Sequence, residues 1–187
     1  MINELSNTIT LRLQKVGVIQ DKFEIYKYGF ELLISSLIGI SLILIIGFLS
    51  NTFSDSLVFL VCFILLRQCT GGYHSRTYLS CNLSFITVYL ILIYYRNYIA
   101  FSYEELFIIV ITSIVIIFIL APMEHKNKKM NIEQKSFHKF TSRIISFVLM
   151  LLTLVLYFLK NPIYLVLSYV LISTSVLLLM GRKEVKD

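Results

Sequence analysis

Six apolar segments together make up about half of this chain. They are residues 30–49, 56–66, 83–95, 106–121, 144–159 and 163–180. Hydrophobic residues make up 57% of the chain and charged residues 15%, so a soluble domain of this length would have too little polar surface to cover its core. The sequence therefore predicts an all-α integral membrane protein, with about six hydrophobic helices in a single domain over residues 1–187.

The second and third apolar segments are shorter than an ordinary membrane span. As a helix, segment 56–66 would cover about 16 Å, whereas the hydrocarbon core of a bilayer is about 30 Å thick. The segment must extend into its polar flanks or enter the bilayer without crossing it, where protein or water has to surround any non-helical backbone. Two architectures remain open, namely six crossings or four full spans plus a re-entrant pair.

Residues 1–27 predict an amphipathic helix that precedes the membrane region, which we place at residues 28–180. The apolar side chains Ile2, Leu5, Ile9, Leu13 and Val16 recur at spacings of three and four. This stripe suits packing against the rest of the protein, and it suits equally a helix lying in the bilayer interface. The segment lacks the compact apolar core and small-residue cleavage site of a secretory signal.

The distribution of basic residues predicts the orientation in the membrane. For six crossings, only Arg96 and Lys160 of the 17 lysines and arginines fall on the side opposite the N-terminus. Because connectors rich in lysine and arginine stay in the cytoplasm, we expect both termini there. The connector between the second and third segments lies on the same side, and a re-entrant pair would not change this orientation.

That connector, RQCTGGYHSRTYLSC at residues 67–81, carries a possible nucleophile and a possible base. A reactive cysteine needs a group that takes its proton, and His74 can do this for Cys81. On one continuous helix the two residues would lie about 10.5 Å apart along the axis, so a catalytic pair requires the chain to bend. Gly71 and Gly72 permit a sharp turn, and a helix that begins just before Cys81 would place the thiol at its positive end.

The same stretch permits other interpretations. Gly-Gly-Tyr-His can be a simple turn in which His74 bonds to backbone. Cys69, His74 and Cys81 can supply three metal ligands, although their spacing matches no common zinc pattern. Three residues are possible N-caps of a following helix: Ser75, Thr77 and Ser80.

The spacing of Arg67, Gly72, His74 and Cys81 after a second apolar segment resembles the accessory gene regulator B (AgrB) family. These are membrane peptidases of Gram-positive bacteria that process quorum-sensing pro-peptides. The resemblance implies a cysteine endopeptidase of the bacterial cell membrane, with Cys81 as nucleophile, His74 as general base, a cytoplasmic active site and no metal or organic cofactor. It also suggests a homodimer, and nothing points to a nucleic-acid partner.

The same resemblance implies the substrate and the reaction. The substrate would be a short pro-peptide with an amphipathic leader and an acidic C-terminal tail. The enzyme would remove the tail and hold the signal part as a thioester on Cys81. A cysteine or serine of the signal would then displace Cys81 and close a thiolactone or lactone ring.

Further residues are candidates for supporting roles. Arg67 can strengthen the positive field or bind a substrate carboxylate, and amides near Gly71 and Gly72 can stabilise an oxyanion. Glu31 is a carboxylate inside the first apolar segment, an unusual place that makes it a functional candidate. It can pair with Arg67, orient His74 or extend to the interface.

A second basic connector follows the fourth segment. Its lysines can set the topology and contact anionic lipid, and they can also attract an acidic peptide tail. The candidates for such docking are Lys126, Lys128 and Lys129. The alternative function is a non-enzymatic membrane protein, such as a small transporter or a sensor subunit. The low charge of the last four segments and the lack of an internal repeat weigh against transport.

Overall fold

The computed structural model of the chain describes residues 2–18, 22–72, 77–123 and 130–186, with side chains to residue 182 in the last range. These ranges contain seven α-helices and no β-strand, which confirms the predicted all-α fold. Six of the helices, α2 to α7, are long and apolar enough to cross a membrane. The helices are α1 (Ile2–Lys15), α2 (Phe23–Leu49), α3 (Phe53–Thr70), α4 (Tyr78–Tyr98), α5 (Tyr103–Leu120), α6 (Ile132–Phe158) and α7 (Ile163–Lys186).

Helices α3 and α4 are longer than the apolar segments that predicted them. Helix α3 has 18 residues, which span about 27 Å at 1.5 Å per residue, and α4 has 21. Both helices take in charged residues that have partners. Asp55, in the first turn of α3, forms an ion pair with Arg96, in the last turn of α4. These lengths favour six crossings over a re-entrant pair.

Contacts between the helix ends show that successive spans run in opposite directions. The amide of Met123, which follows α5, donates to the carbonyl of Thr70, the last residue of α3, at 2.9 Å. Glu31, early in α2, accepts a hydrogen bond from Tyr78, the first residue of α4. We call this end of the bundle the proximal end, where α2, α4 and α6 begin and α3 and α5 finish. The opposite end, with the Asp55–Arg96 pair, is the distal end.

Helix α7 forms the centre of the bundle. In its span, 61% of the residues are buried, because α3, α4, α5 and α6 all pack against it. Val166, Val170, Leu171 and Leu178 are fully buried. The hydroxyls of Ser168, Ser173 and Ser175 donate to carbonyls of the preceding turn, so these polar side chains enter the core without unpaired donors.

The N-terminal helix α1 packs against α2 with a face that shares three residues with the predicted stripe. Ile2, Ile9 and Leu13 are half-buried. Ser6 and Thr10 are fully buried, whereas Leu5 and Val16 are 51% and 78% exposed. Small side chains allow close approach between helices, and the hydroxyl of Thr10 donates to the carbonyl of Ser6 at 2.8 Å. The prediction of an N-terminal helix is confirmed, and its packing face is rotated toward the small polar residues.

Candidate active site

Cys81 lies in the first turn of α4, which the sequence suggested as the positive end of a helix. Thr77 is the N-cap, and its side-chain oxygen accepts from the amide of Ser80 at 3.2 Å. The amide of Cys81 donates to the carbonyl of Thr77 at 3.0 Å and so makes the first bond of the helix. Cys81 is exposed, whereas Cys62 and Cys69 on α3 are both partly buried. Cys81 is therefore the accessible thiol among the three cysteines.

The predicted turn at the end of α3 is confirmed. Gly71 and Gly72 have φ angles of 66° and 118°, which residues with a side chain rarely adopt. A β-carbon on Gly71 would also collide with the carbonyl oxygen of Met123, and one on Gly72 would collide with the guanidinium of Arg67. Backbone conformation thus favours glycine at both positions, and lack of space adds to this at Gly71, where the colliding atom belongs to the main chain.

Arg67 joins this turn to the thiol. Its Nη1 donates a hydrogen bond to the carbonyl of Gly71, and its guanidinium interacts electrostatically with Cys81. The side chain is half-buried, so water screens this interaction less than it would at an open surface. The structure therefore brings together Arg67, the glycine turn and Cys81, which the sequence had grouped only by spacing.

Several backbone amides near Cys81 are already engaged in hydrogen bonds. The amide of Gly71 donates to the carbonyl of Arg67 at 3.0 Å, which is the last bond of α3. Those of Ser80 and Cys81 both donate to Thr77. An oxyanion at Cys81 would have to compete with these bonds for the three amides. The sequence indicated the region in which oxyanion donors could lie. It did not indicate that three of the amides there already donate to other groups.

Glu31 contacts two partners that sequence reasoning did not identify. Its Oε2 accepts from the phenol of Tyr78 at 2.8 Å, and its Oε1 accepts from the hydroxyl of Ser6 at 3.4 Å. The sequence analysis suggested Arg67 or His74 instead. A carboxylate in an apolar segment signals that a donor must face it. Which donor does so depends on how α2 packs against α4, and no local pattern encodes that.

Four of the candidate residues lie outside the described ranges, and their predicted roles stay predictions. They are His74, Lys126, Lys128 and Lys129. The alternative metal site includes His74 and is likewise untested. Among the residues that the structure does describe, no three His, Cys, Asp or Glu side chains gather as they would around a metal ion.

Comparisons with known proteins agree on one family. The family model described as accessory gene regulator B matches residues 3–179. An AgrB-like protein of Clostridium perfringens strain SM101 is 32% identical over 143 residues, which are 72% of this chain and 67% of that protein. A second AgrB-like protein, from strain 13 of the same species, is 29% identical over the same shares. No solved structure matches. The chain is thus a multi-pass membrane protein that belongs to the accessory gene regulator B (AgrB) family.

Proposed function

We propose that this protein is a membrane cysteine endopeptidase that trims and cyclises a quorum-sensing pro-peptide. The observation that carries the proposal is the position of Cys81. Cys81 is exposed in the first turn of α4, and its electrostatic interaction with the guanidinium of Arg67 partly offsets the cost of removing a thiolate from water there. A positive helix end and a nearby cation are features of reactive cysteines. Cys62 and Cys69 lie within α3 and have no comparable helix start.

In the first half of the proposed reaction, Cys81 cleaves the peptide. His74 takes the proton of the thiol, and the sulfur attacks the carbonyl carbon at the end of the signal sequence. The tetrahedral intermediate collapses when His74 returns the proton to the leaving amine, which departs with the acidic tail. The signal part remains as a thioester on Cys81.

In the second half, the ring closes. A cysteine thiol or a serine hydroxyl of the signal attacks the thioester carbonyl, and its proton passes through His74 to the departing sulfur of Cys81. The whole sequence consumes no water, because one amide bond is exchanged for one ring thioester or ester. A site that limits access of water to the acyl-enzyme would therefore favour the ring over the hydrolysed linear peptide.

We also propose a cytoplasmic active site and contacts between the substrate and the second basic connector. The distribution of lysine and arginine favours a cytoplasmic position for both termini and for the proximal end, where Cys81 lies. Lys126, Lys128 and Lys129 follow Met123, whose amide bonds to the end of α3. An acidic peptide tail bound there would contact the chain three to six residues beyond Met123, the residue that bonds next to the glycine turn. The homodimer suggested by the family resemblance stays a prediction.

Co-expression of the protein with a tagged candidate pro-peptide in a heterologous membrane tests this function. Mass spectrometry should detect the released tail and a signal peptide that is lighter by one water molecule than its linear form. Cys81→Ala should abolish both products. Cys62→Ala and Cys69→Ala remove the other two thiols one at a time and serve as matched controls, which should retain activity. Cleavage that persists in Cys81→Ala, with normal insertion, would exclude the proposed nucleophile.

A further inference from the structure

The two ends of α4 are held in different ways. The buried residues of α4 are Tyr89, Leu92 and Tyr95, and all three lie in its distal half. From Tyr78 to residue 88 every side chain is half-buried or exposed. Apolar burial therefore fixes the distal half, and it contributes less to the orientation of the first turn, where Cys81 lies.

In the proximal half, Phe85 packs against Phe59 and Phe63 of α3, and polar contacts to α2 hold the first two turns. The phenol of Tyr78 donates to Glu31 at 2.8 Å, and the hydroxyl of Ser35 donates to Asn82 at 3.5 Å. Both pairs are spaced by four residues on each helix, so α2 and α4 run in the same direction in a fixed register. The Tyr78–Glu31 bond is the shorter of the two, and its acceptor is a carboxylate, which makes it the stronger.

Glu31 also connects a third helix. Its other carboxylate oxygen lies 3.4 Å from the hydroxyl of Ser6 on α1, which is fully buried. That hydroxyl donates its shorter bond, at 2.9 Å, to the carbonyl of Asn3, so the contact with Glu31 is the weaker of the two. Tyr78 stands three residues before Cys81, so it lies on the same turn of α4.

We propose that Glu31 is a positioning residue, whose carboxylate orients the first turn of α4 through Tyr78. This inference rests on the proposed role of Cys81. It assigns Glu31 a task different from pairing with Arg67 or orienting His74, because Glu31 acts on the helix that carries the nucleophile.

The variants Tyr78→Phe and Glu31→Gln test the proposal. Tyr78→Phe removes one hydroxyl and keeps the ring, whereas Glu31→Gln removes the charge and keeps the shape. A hydrogen bond to a charged group contributes enough for a loss of about tenfold or more in turnover, with little change in KM. Tyr78→Phe removes the donor of this bond, and Glu31→Gln weakens its acceptor, so the double variant should lose no more than the more affected single variant. Tyr94→Phe, at an exposed tyrosine of α4, is the matched control and should keep full activity.

A second measurement does not depend on peptide cleavage. In a Cys62→Ala/Cys69→Ala background, a maleimide reagent reports the reactivity of Cys81 alone. Tyr78→Phe and Glu31→Gln should change the alkylation rate and its pH profile in the same direction, with the larger change in Tyr78→Phe, and Tyr94→Phe should not. Melting temperatures in detergent, compared at equal expression, exclude general unfolding as the cause.

The outcomes separate the two proposals. Cleavage that survives Cys81→Ala would reject the proposed function, whatever the other variants do. Loss of cleavage in Cys81→Ala, together with wild-type turnover and alkylation in Tyr78→Phe and Glu31→Gln, would reject only the positioning role. Additive losses in the double variant would also contradict it, because independent effects cannot arise from one shared bond.

Discussion

Helices α7 and α4 are both apolar spans, yet they relate to the bundle in opposite ways. In α7, 61% of the span is buried, compared with 17% in α4. The buried residues of α7 run along most of its length, whereas those of α4 lie in its distal half. The difference separates two tasks: α7 contributes most of the apolar packing, and α4 carries an exposed thiol at a weakly packed end.

The difference in burial between α7 and α4 affects how much each helix contributes to stability. Regions with little apolar burial contribute less to the free energy of unfolding and reorient at lower cost. The first turn of α4 relies on hydrogen bonds that Thr77 and Glu31 accept, so its orientation can change while the core stays intact. We therefore expect substitutions in α7 to affect stability first, and those at the proximal end of α4 to affect activity first.

The largest expected effect tests the role of α7 directly. Leu171→Ala removes a fully buried side chain and should lower the free energy of unfolding by about 2–5 kcal/mol. Leu90→Ala on α4, at a side chain that is 49% exposed, should cost much less. Unfolding of both variants in the same detergent checks this. Equal losses would mean that burial within the bundle does not distinguish the two helices.

A smaller effect is expected at the distal end of α4. Arg96→Met leaves the buried Asp55 without its cationic partner and should cost about 1–3 kcal/mol of stability. Peptide cleavage per folded molecule should change little, because Cys81 lies at the opposite end of the helix. The double variant Asp55→Leu/Arg96→Met should recover part of the loss. A selective loss of turnover in the folded fraction would contradict the separation between the two ends.

At the glycine turn, we expect a substitution to affect activity more than stability. Gly71→Ala places a β-carbon at a positive φ and against the carbonyl of Met123. With φ 66° and ψ −147°, Gly71 occupies a region that is essentially restricted to glycine, so a side chain there costs about 1–3 kcal/mol, and the collision adds to it. We expect reduced cleavage together with an altered rate of Cys81 alkylation. If both rates match the wild type, the turn does not position the thiol.

The smallest expected effect has the opposite sign. Gly29 lies inside α2, and a β-carbon there would meet no atom within 4 Å. Gly29→Ala should therefore stabilise the protein by about 0.5–1 kcal/mol, since alanine loses less chain entropy in a helix. Gly47→Ala in the same helix is the contrast, because its β-carbon would lie 2.6 Å from the hydroxyl of Ser56. A gain from both variants would argue against close packing at Gly47.

The sequence predicts features that depend on local chemistry. Hydropathy located all six spans, because a bilayer requires long apolar helices whatever their neighbours are. Two adjacent glycines indicated the turn after α3, and a run of hydroxyl residues indicated the start of α4, where Thr77 is the cap. Cys81 at the start of a helix followed from the same pattern.

Features that depend on packing between helices were not predictable in this way. Asp55 and Arg67 looked like the limits of a short apolar segment, but each finds a partner that lets the helix continue through it. The contacts of Glu31 with Tyr78 and Ser6 require a register between three helices. The packing face of α1 was likewise decided by α2, which accepts the small Ser6 and Thr10 more closely than Leu5.

Main-chain atoms connect the turn after α3 to the chain after α5. The amide of Met123 donates to the carbonyl of Thr70, which precedes Gly71. Side chains contribute nothing to that bond, and it needs only a free amide at position 123 and no β-carbon at position 71. The contact between positions 70 and 123 is therefore insensitive to which side chains follow it in the two connectors. Under the proposed function, peptide preference can change there while Cys81 stays in place.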